Sequence, residues 1–267
     1  MPLPGTTGQA LAALAAAECR VIERALGPTR DRDRAVHRAR KAIRRLRSLL
    51  AMASAGLGAA SAPIDRSLQR LARGLSPLRD IHVAVTVAQT LATGADAPAW
   101  EAAIAHLQAR RAQLLAEALA SDPMFARRRA GVRTLAHALA ALPWRRVKRG
   151  ALHDALARSE RRMAKAEACA REDGRTPAIH RWRRRTRRLR MQLELNLRLQ
   201  ARAARDGKSP SQLRRAIGRL KRQTDALGWR QDLQLLRRQL GRLPDPPQAG
   251  VLRQRLRREM AAARPLH

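Results

Sequence analysis

The chain has 267 residues, with 56 lysines and arginines against 21 aspartates and glutamates, a formal net charge of +35 and a sequence pI of about 12.0. A charge this large speaks to partners and solubility rather than to fold, and 45% hydrophobic residues at helical spacing exclude a disordered basic tail. No apolar stretch reaches the ~18 residues of a membrane-spanning helix.

Aromatic residues are only 2%, so the core must be built from Leu, Ala, Ile and Val. The apolar run Leu11 to Ala17 lacks a basic flank, and Glu18 stands where a cleavage site needs a small residue. It reads as a helix over about residues 8–26, not as a signal peptide. Cys19 and Cys169 form neither a CxxC nor a zinc pattern, which suggests a reducing compartment and a cytoplasmic location. Asp31-Arg32-Asp33 has the outline of a metal-binding pair. It lies just before a basic segment, where aspartates cap helix N-termini, and capping is the expected role.

Further along, apolar residues recur at three and four, and only Ile81 to Val87 alternates with period two. Breaks are expected at Gly27-Pro28, 56–63, 74–77, 94–98, Asp122-Pro123, Pro143, 173–177, 206–210, Gly228 and 243–250. The resulting expectation is an all-α protein of about ten helices. A second helix of the same kind as the first is expected over about 151–172.

The sequence repeats itself. His37-Arg38-Ala39-Arg40-Lys41-Ala42-Ile43-Arg44-Arg45-Leu46-Arg47 and His180-Arg181-Trp182-Arg183-Arg184-Arg185-Thr186-Arg187-Arg188-Leu189-Arg190 share one pattern, His37 standing where His180 stands. Leu68 to Ile81 likewise aligns with Leu220 to Leu233, bringing Asp80 onto Asp232. A tandem duplication is the simplest account. It predicts two pseudo-symmetric helical bundles, over 8–142 and 151–263.

At about 100° per residue, His37, Arg40, Arg44 and Arg47 share one stripe of a helix about 80° wide. Ala39, Ile43, Leu46 and Leu50 form the neighbouring apolar stripe, and Lys41 and Arg45 lie on the other flank. The second copy repeats this with His180, Arg183, Arg187 and Arg190 on the stripe and Arg184 and Arg188 on the flank. Like charges at i, i+4 cost about 0.2–0.5 kcal/mol per pair. No Asp or Glu stands between Val36 and Leu49 or between Ala178 and Leu193 to offset them.

Such a stripe suits a string of phosphates. Only five basic residues are lysine (Lys41, Lys148, Lys165, Lys208 and Lys221), and the rest are arginines. A guanidinium grips phosphate oxygens in pairs, whereas an ammonium is a point charge. Histidine donates a ring N–H and gains charge below a pKa of roughly 6.5. Charge alone also suits nucleic acid, bound without sequence preference, and that is the alternative partner. Against it, Trp182 is the only aromatic within a basic helix, so a base-stacking platform is missing. Asp80 and Asp232 read as orienting nearby arginines. His82, His106, His137, His153 and His267 show no metal-ligand spacing. There is no Walker loop, no G-x-S-x-G and no credible catalytic set, so neither enzymatic activity nor a cofactor is expected.

The two histidine-led helices, together with Leu75-Ser76-Pro77-Leu78-Arg79-Asp80-Ile81-His82-Val83 and its weaker echo from Leu220 to Asp232, resemble the CHAD family, the conserved histidine α-helical domain. The resemblance runs over nearly the whole chain, as a single domain over 5–265. It implies two four-helix bundles around a strongly basic groove or cavity. It also implies binding of inorganic polyphosphate and association with polyphosphate granules. Carried over by position, the binding residues are His37, Arg40, Lys41, Arg44, Arg45, Arg47, His180, Arg183, Arg184, Arg187, Arg188 and Arg190, supported by Arg79, Lys221 and Arg222. Some members carry a triphosphate-hydrolysing barrel with an E-x-E-x-K signature, which is absent from this sequence.

Overall fold

A computed structural model describes residues 6–203, 210–242 and 249–263, helical throughout apart from short turns. Lys208, His267 and the breaks expected at 206–209 and 243–248 lie outside the described residues. The helices are α1 (Thr7–Leu26), α2 (Arg32–Leu57), α3 (Ser61–Gly74), α4 (Ser76–Leu91), α5 (Ala97–Ser121), α6 (Ala126–Ala140), α7 (Arg149–Asp173), α8 (Thr176–Ala203), α9 (Pro210–Leu240) and α10 (Ala249–Ala262).

The sequence starts and stops these helices by recognisable means. Thr6 and Gln9 form a capping box on α1, and the Asp31 carboxylate accepts from the Arg34 amide at 2.9 Å to cap α2. Pro77 sits in the first turn of α4, where its missing N–H costs nothing. Gly174 closes α7 in the left-handed region at φ 63°. One expected break, at Gly228, fails, and the run of period two falls within a helix as the all-α reading has it. Ile81 to Val87 lies inside α4, because Ile81, Ala84, Val85 and Ala88 bury one helical face. Gly228 does not break the chain. α9 runs through it, since a single helical glycine costs only about 1 kcal/mol and Leu227, Leu233 and Leu236 anchor the helix around it.

The chain forms two compact units, 1–73 with 125–224 and 74–124 with 225–267. Each unit therefore draws helices from both halves of the sequence. In the first unit α1 packs on α2 and α6, α7 on α8, and α2 on both α7 and α8. The apolar stripe of α2 is fully used. Ala39, Ile43 and Leu46 are 0% exposed and Leu50 2%, worth roughly 1.5–3 kcal/mol for each large side chain. The turn at Trp144–Arg146 docks on α1 and α2, and two glycines permit it. A methyl on Gly8 would fall 1.9 Å from the Trp144 carbonyl oxygen, and one on Gly56 would fall 2.7 Å from the Val147 Cα.

Phe125 opens the 125–224 segment of this unit with a left-handed backbone at φ 53°. Its ring is fully buried, with the guanidiniums of Arg32 and Arg128 at 5.1 and 4.9 Å from its centroid. The second unit is built on one apolar cluster. Ile81, Val85 and Ala88 of α4, Trp100 and Leu107 of α5, Leu233 and Leu236 of α9, and Leu252 and Leu256 of α10 meet there.

Candidate polyanion-binding site

Both histidine-led helices, α2 and α8, lie in the first unit and pack against each other. The Ser48 hydroxyl donates to the Met191 sulfur at 3.7 Å, and Gln192 Nε2 donates to the Ser48 carbonyl at 3.3 Å. Ser48 and Met191 are 143 residues apart, the same separation as His37 and His180. The two helices thus touch at equivalent positions of the repeat.

The basic side chains fall into different environments. On α2, His37, Arg38 and Lys41 are exposed, and Arg40, Arg44, Arg45 and Arg47 are half-buried. On α8, Arg181 and Arg184 are exposed, His180, Arg187, Arg188 and Arg190 are half-buried, and Arg183 is buried. Lys221 and Arg222 are exposed on α9, which Gln223 ties to Glu167 of α7. Trp182 is buried and lies under the Arg171 guanidinium, so its ring is not a platform for bases.

Partners that the basic segments lack within themselves come from other helices and from the next turn of α8, which corrects the picture of an uncompensated stripe. Arg45 grips Glu18 of α1 with bonds of 2.7 and 2.6 Å. Arg47 grips Asp65 of α3 at 2.7 and 3.1 Å. Arg40 donates to the Ala72 carbonyl at the end of α3. Arg190 meets Glu194 one turn on at 3.3 Å. A helical wheel of one helix cannot reveal Glu18, Asp65 or Ala72. Glu18 did leave a trace in sequence, as a lone acid beside the apolar face of α1 formed by Leu11, Ala15, Cys19 and Ile22.

At the crossing of α2 and α8 the charges press on one another. Burial first, then the neighbouring Arg47, Arg185 and Arg162, hold the Arg188 guanidinium below its ordinary value, with only Asp65 opposing. Since a guanidinium does not deprotonate in a protein, Arg188 stays charged while half-buried beside three other arginines.

Arg79 belongs to the second unit, on α4. It donates to Asp80 at 2.9 Å and to Asp232 of α9 at 3.3 Å. The two aspartates matched by the repeat therefore hold one arginine between them. Among the described residues, no group of three or more His, Cys, Asp or Glu side chains is arranged to hold a metal ion. None of the described helices is long and apolar enough to cross a membrane.

The family model of the CHAD domain matches residues 7–241. The chain belongs to the CHAD domain family. Its fold is similar to that of the CHAD domain from the plant Ricinus communis, with a TM-score of 0.70 and 20% identity over 98% of this chain and 87% of that one. It is also similar to PptA from Streptomyces chartreusis, with a TM-score of 0.63 and 20% identity over 97% of each chain. No curated protein matches the chain. At these identities the likeness to the CHAD structures speaks for the fold, and the chemistry rests on the residues above.

Proposed function

We propose that this CHAD protein binds long-chain inorganic polyphosphate through α2 and α8, associates with polyphosphate granules, and catalyses no reaction of its own. The observation that carries the reading is the packing of both histidine-led helices in one unit, touching at the equivalent residues Ser48 and Met191. Two basic stripes on one body offer successive guanidinium forks to a single flexible chain. Membership of a family linked to polyphosphate binding supports the same ligand. Burial of Trp182 favours polyphosphate over single-stranded nucleic acid, which needs exposed rings for its bases.

Much of the binding free energy should come from release of counterions. By analogy with DNA, a site neutralising 6–10 phosphates loses about 10³–10⁵-fold in affinity between 50 and 200 mM salt. The test is thermal unfolding with polyphosphate of about 100 units at low salt. The expected result is a clear rise in melting temperature, abolished in Arg44→Glu/Arg187→Glu, whose circular dichroism spectrum stays helical. Double-stranded DNA at equal phosphate concentration should fail to displace the polyphosphate. Absence of any shift in the wild type, or displacement by DNA, overturns the proposal.

A further inference from the structure

α2, α7 and α8 enclose a pocket of about 120 Å³ lined by Arg158 and Arg162 of α7, Arg185 and Arg188 of α8, the hydroxyl-bearing Ser54 and Ser159, and Gln192. Four guanidiniums and no carboxylate line it. None of the four forms a salt bridge with a carboxylate among the described residues. Three of them are half-buried, and Arg162 is exposed at the mouth. Placed on the same helical wheel, Arg185, Arg188 and Gln192 lie about 80–140° from His180 on the side away from Arg183 and Arg190. Arg185 and Gln192 therefore lie on another face of α8 from the histidine-led stripe, with Arg188 on the flank between them.

A second pocket, of about 20 Å³, makes a control within the molecule. It is lined by Glu18, Arg45, Leu49, Met191, Glu194, Leu195 and Arg198. In the register of the repeat, Arg45 and Leu49 answer to Arg188 and Gln192, and Glu194 answers to Ala51 of the larger pocket. The two pockets are thus counterparts. In the smaller one Arg45 is neutralised by Glu18, and Arg198 reaches the same carboxylate at 3.9 Å. In the larger one the acids are gone, Ala51 stands at the place of Glu194, and arginines have multiplied. Of the cost of crowding them, Asp65 offsets a part at Arg188, and no carboxylate lines the pocket itself. In addition, Gln192 is 1% exposed and its Oε1 has no donor. That oxygen is an acceptor suited to the O–H of a protonated phosphate, which a fully ionised anion lacks.

We infer that the pocket formed by Arg158, Arg162, Arg185 and Arg188 is a second anion site, which seats one tetrahedral phosphoryl group independently of the stripe. The group is free orthophosphate or the terminal phosphoryl of a phosphate chain. Guanidinium forks supply bidentate donors to its oxygens, and Ser159 and Ser54 supply hydroxyls. The repulsion around Arg188 adds to the gain on binding, since a dianion in the pocket relieves it.

The test uses the full chain with orthophosphate at constant ionic strength, read by thermal unfolding and by titration calorimetry. A hundredfold excess over Kd should raise the melting temperature by about 5–10 °C. Arg158→Ser/Arg185→Ser lies outside the stripe. It should melt higher than the wild type without phosphate, lose the phosphate-dependent rise, and still bind 100-unit polyphosphate. Arg158→Lys/Arg185→Lys keeps the charge and loses the forks. It should bind orthophosphate at least about tenfold more weakly. Linear tripolyphosphate and cyclic trimetaphosphate distinguish the two sources. Displacement of orthophosphate by the linear form alone identifies the chain end, and displacement by neither identifies free phosphate. No phosphate-dependent rise in the wild type, an equal rise in the serine variant, unweakened binding in the lysine variant, or displacement by the end-less ring overturns the assignment. Failure of polyphosphate to bind the stripe leaves these readouts unaffected.

Discussion

Arg47 of α2 holds Asp65 of α3 by two parallel bonds, Nε to Oδ1 at 2.7 Å and Nη2 to Oδ2 at 3.1 Å. Gln69 donates a third, to Oδ2 at 2.9 Å. Burial by itself pushes the Asp65 carboxyl up. The bonds and charge of Arg47, the bond from Gln69 and the charge of Arg188 overcome it and hold the carboxyl below its ordinary 3.8. A carboxyl depressed on folding adds stability that is fully present above its unfolded pKa and is lost as pH falls through its folded pKa. Asp65→Asn should therefore cost about 1–2 kcal/mol at pH 7. Its gap from the wild type should narrow progressively below about pH 4. Denaturant unfolding at pH 7, 5 and 3 reads this directly, and a gap independent of pH contradicts it.

The Glu18–Arg45 pair is more deeply placed, with side chains 10% and 22% exposed. Removing one partner of a buried pair strands the other charge, whereas replacing both by apolar groups is often neutral. Glu18→Leu should destabilise by about 3–5 kcal/mol, and Glu18→Leu/Arg45→Leu should return to within about 1 kcal/mol of the wild type. A double-mutant cycle by urea unfolding measures the coupling. If the double variant is as unstable as the single, the pair is needed for its geometry and not only for its balance.

Glycines make a graded series. Gly8→Ala and Gly56→Ala place a methyl against backbone atoms of Trp144 and Val147 that cannot swing away. Each should lose at least about 1–3 kcal/mol. Gly131, inside α6, has nothing within 4 Å of an added methyl. Gly131→Ala should gain about 0.5–1 kcal/mol. Melting temperatures of the three variants moving the same way would refute the account.

The two cysteines should differ in reactivity. Burial, then Glu18, pushes the Cys19 thiol up to about 11, so almost no thiolate exists there at pH 8. Cys169 is half-buried. A thiol-reactive dye should label one equivalent in the native protein and two after denaturation. Rapid labelling of two in the native state would contradict the burial of Cys19.

The helical class and most breaks between helices were legible, because residues such as Pro77, Gly174 and Asp31 act locally on the residues beside them. Gly228 was misread because a lone glycine is a weak signal, outweighed here by the buried leucines on both sides of it. The basic face of α2 was legible from spacing, and the burial of Ile43 and Leu46 agrees with it. The partners of that face were not. Glu18 and Asp65 reach Arg45 and Arg47 only through tertiary packing, and Arg158 meets Arg188 only because α7 lies along α8. A wheel drawn for one helix shows which side chains share a face but not what stands opposite.

The docking of Trp144 and Val147 against Gly8 and Gly56 bears on how the chain is assembled as it is made. The segment lies where the two sequence repeats join, yet it closes the pair formed by α1 and α2. Because α1 and α2 precede Val147 in the chain, their two glycine notches have no partner segment until Val147 has been synthesised. A truncated chain ending before Trp144 leaves those notches bare. The junction between the repeats is thus a poor place to cut the protein, and new termini for a circular permutant belong elsewhere.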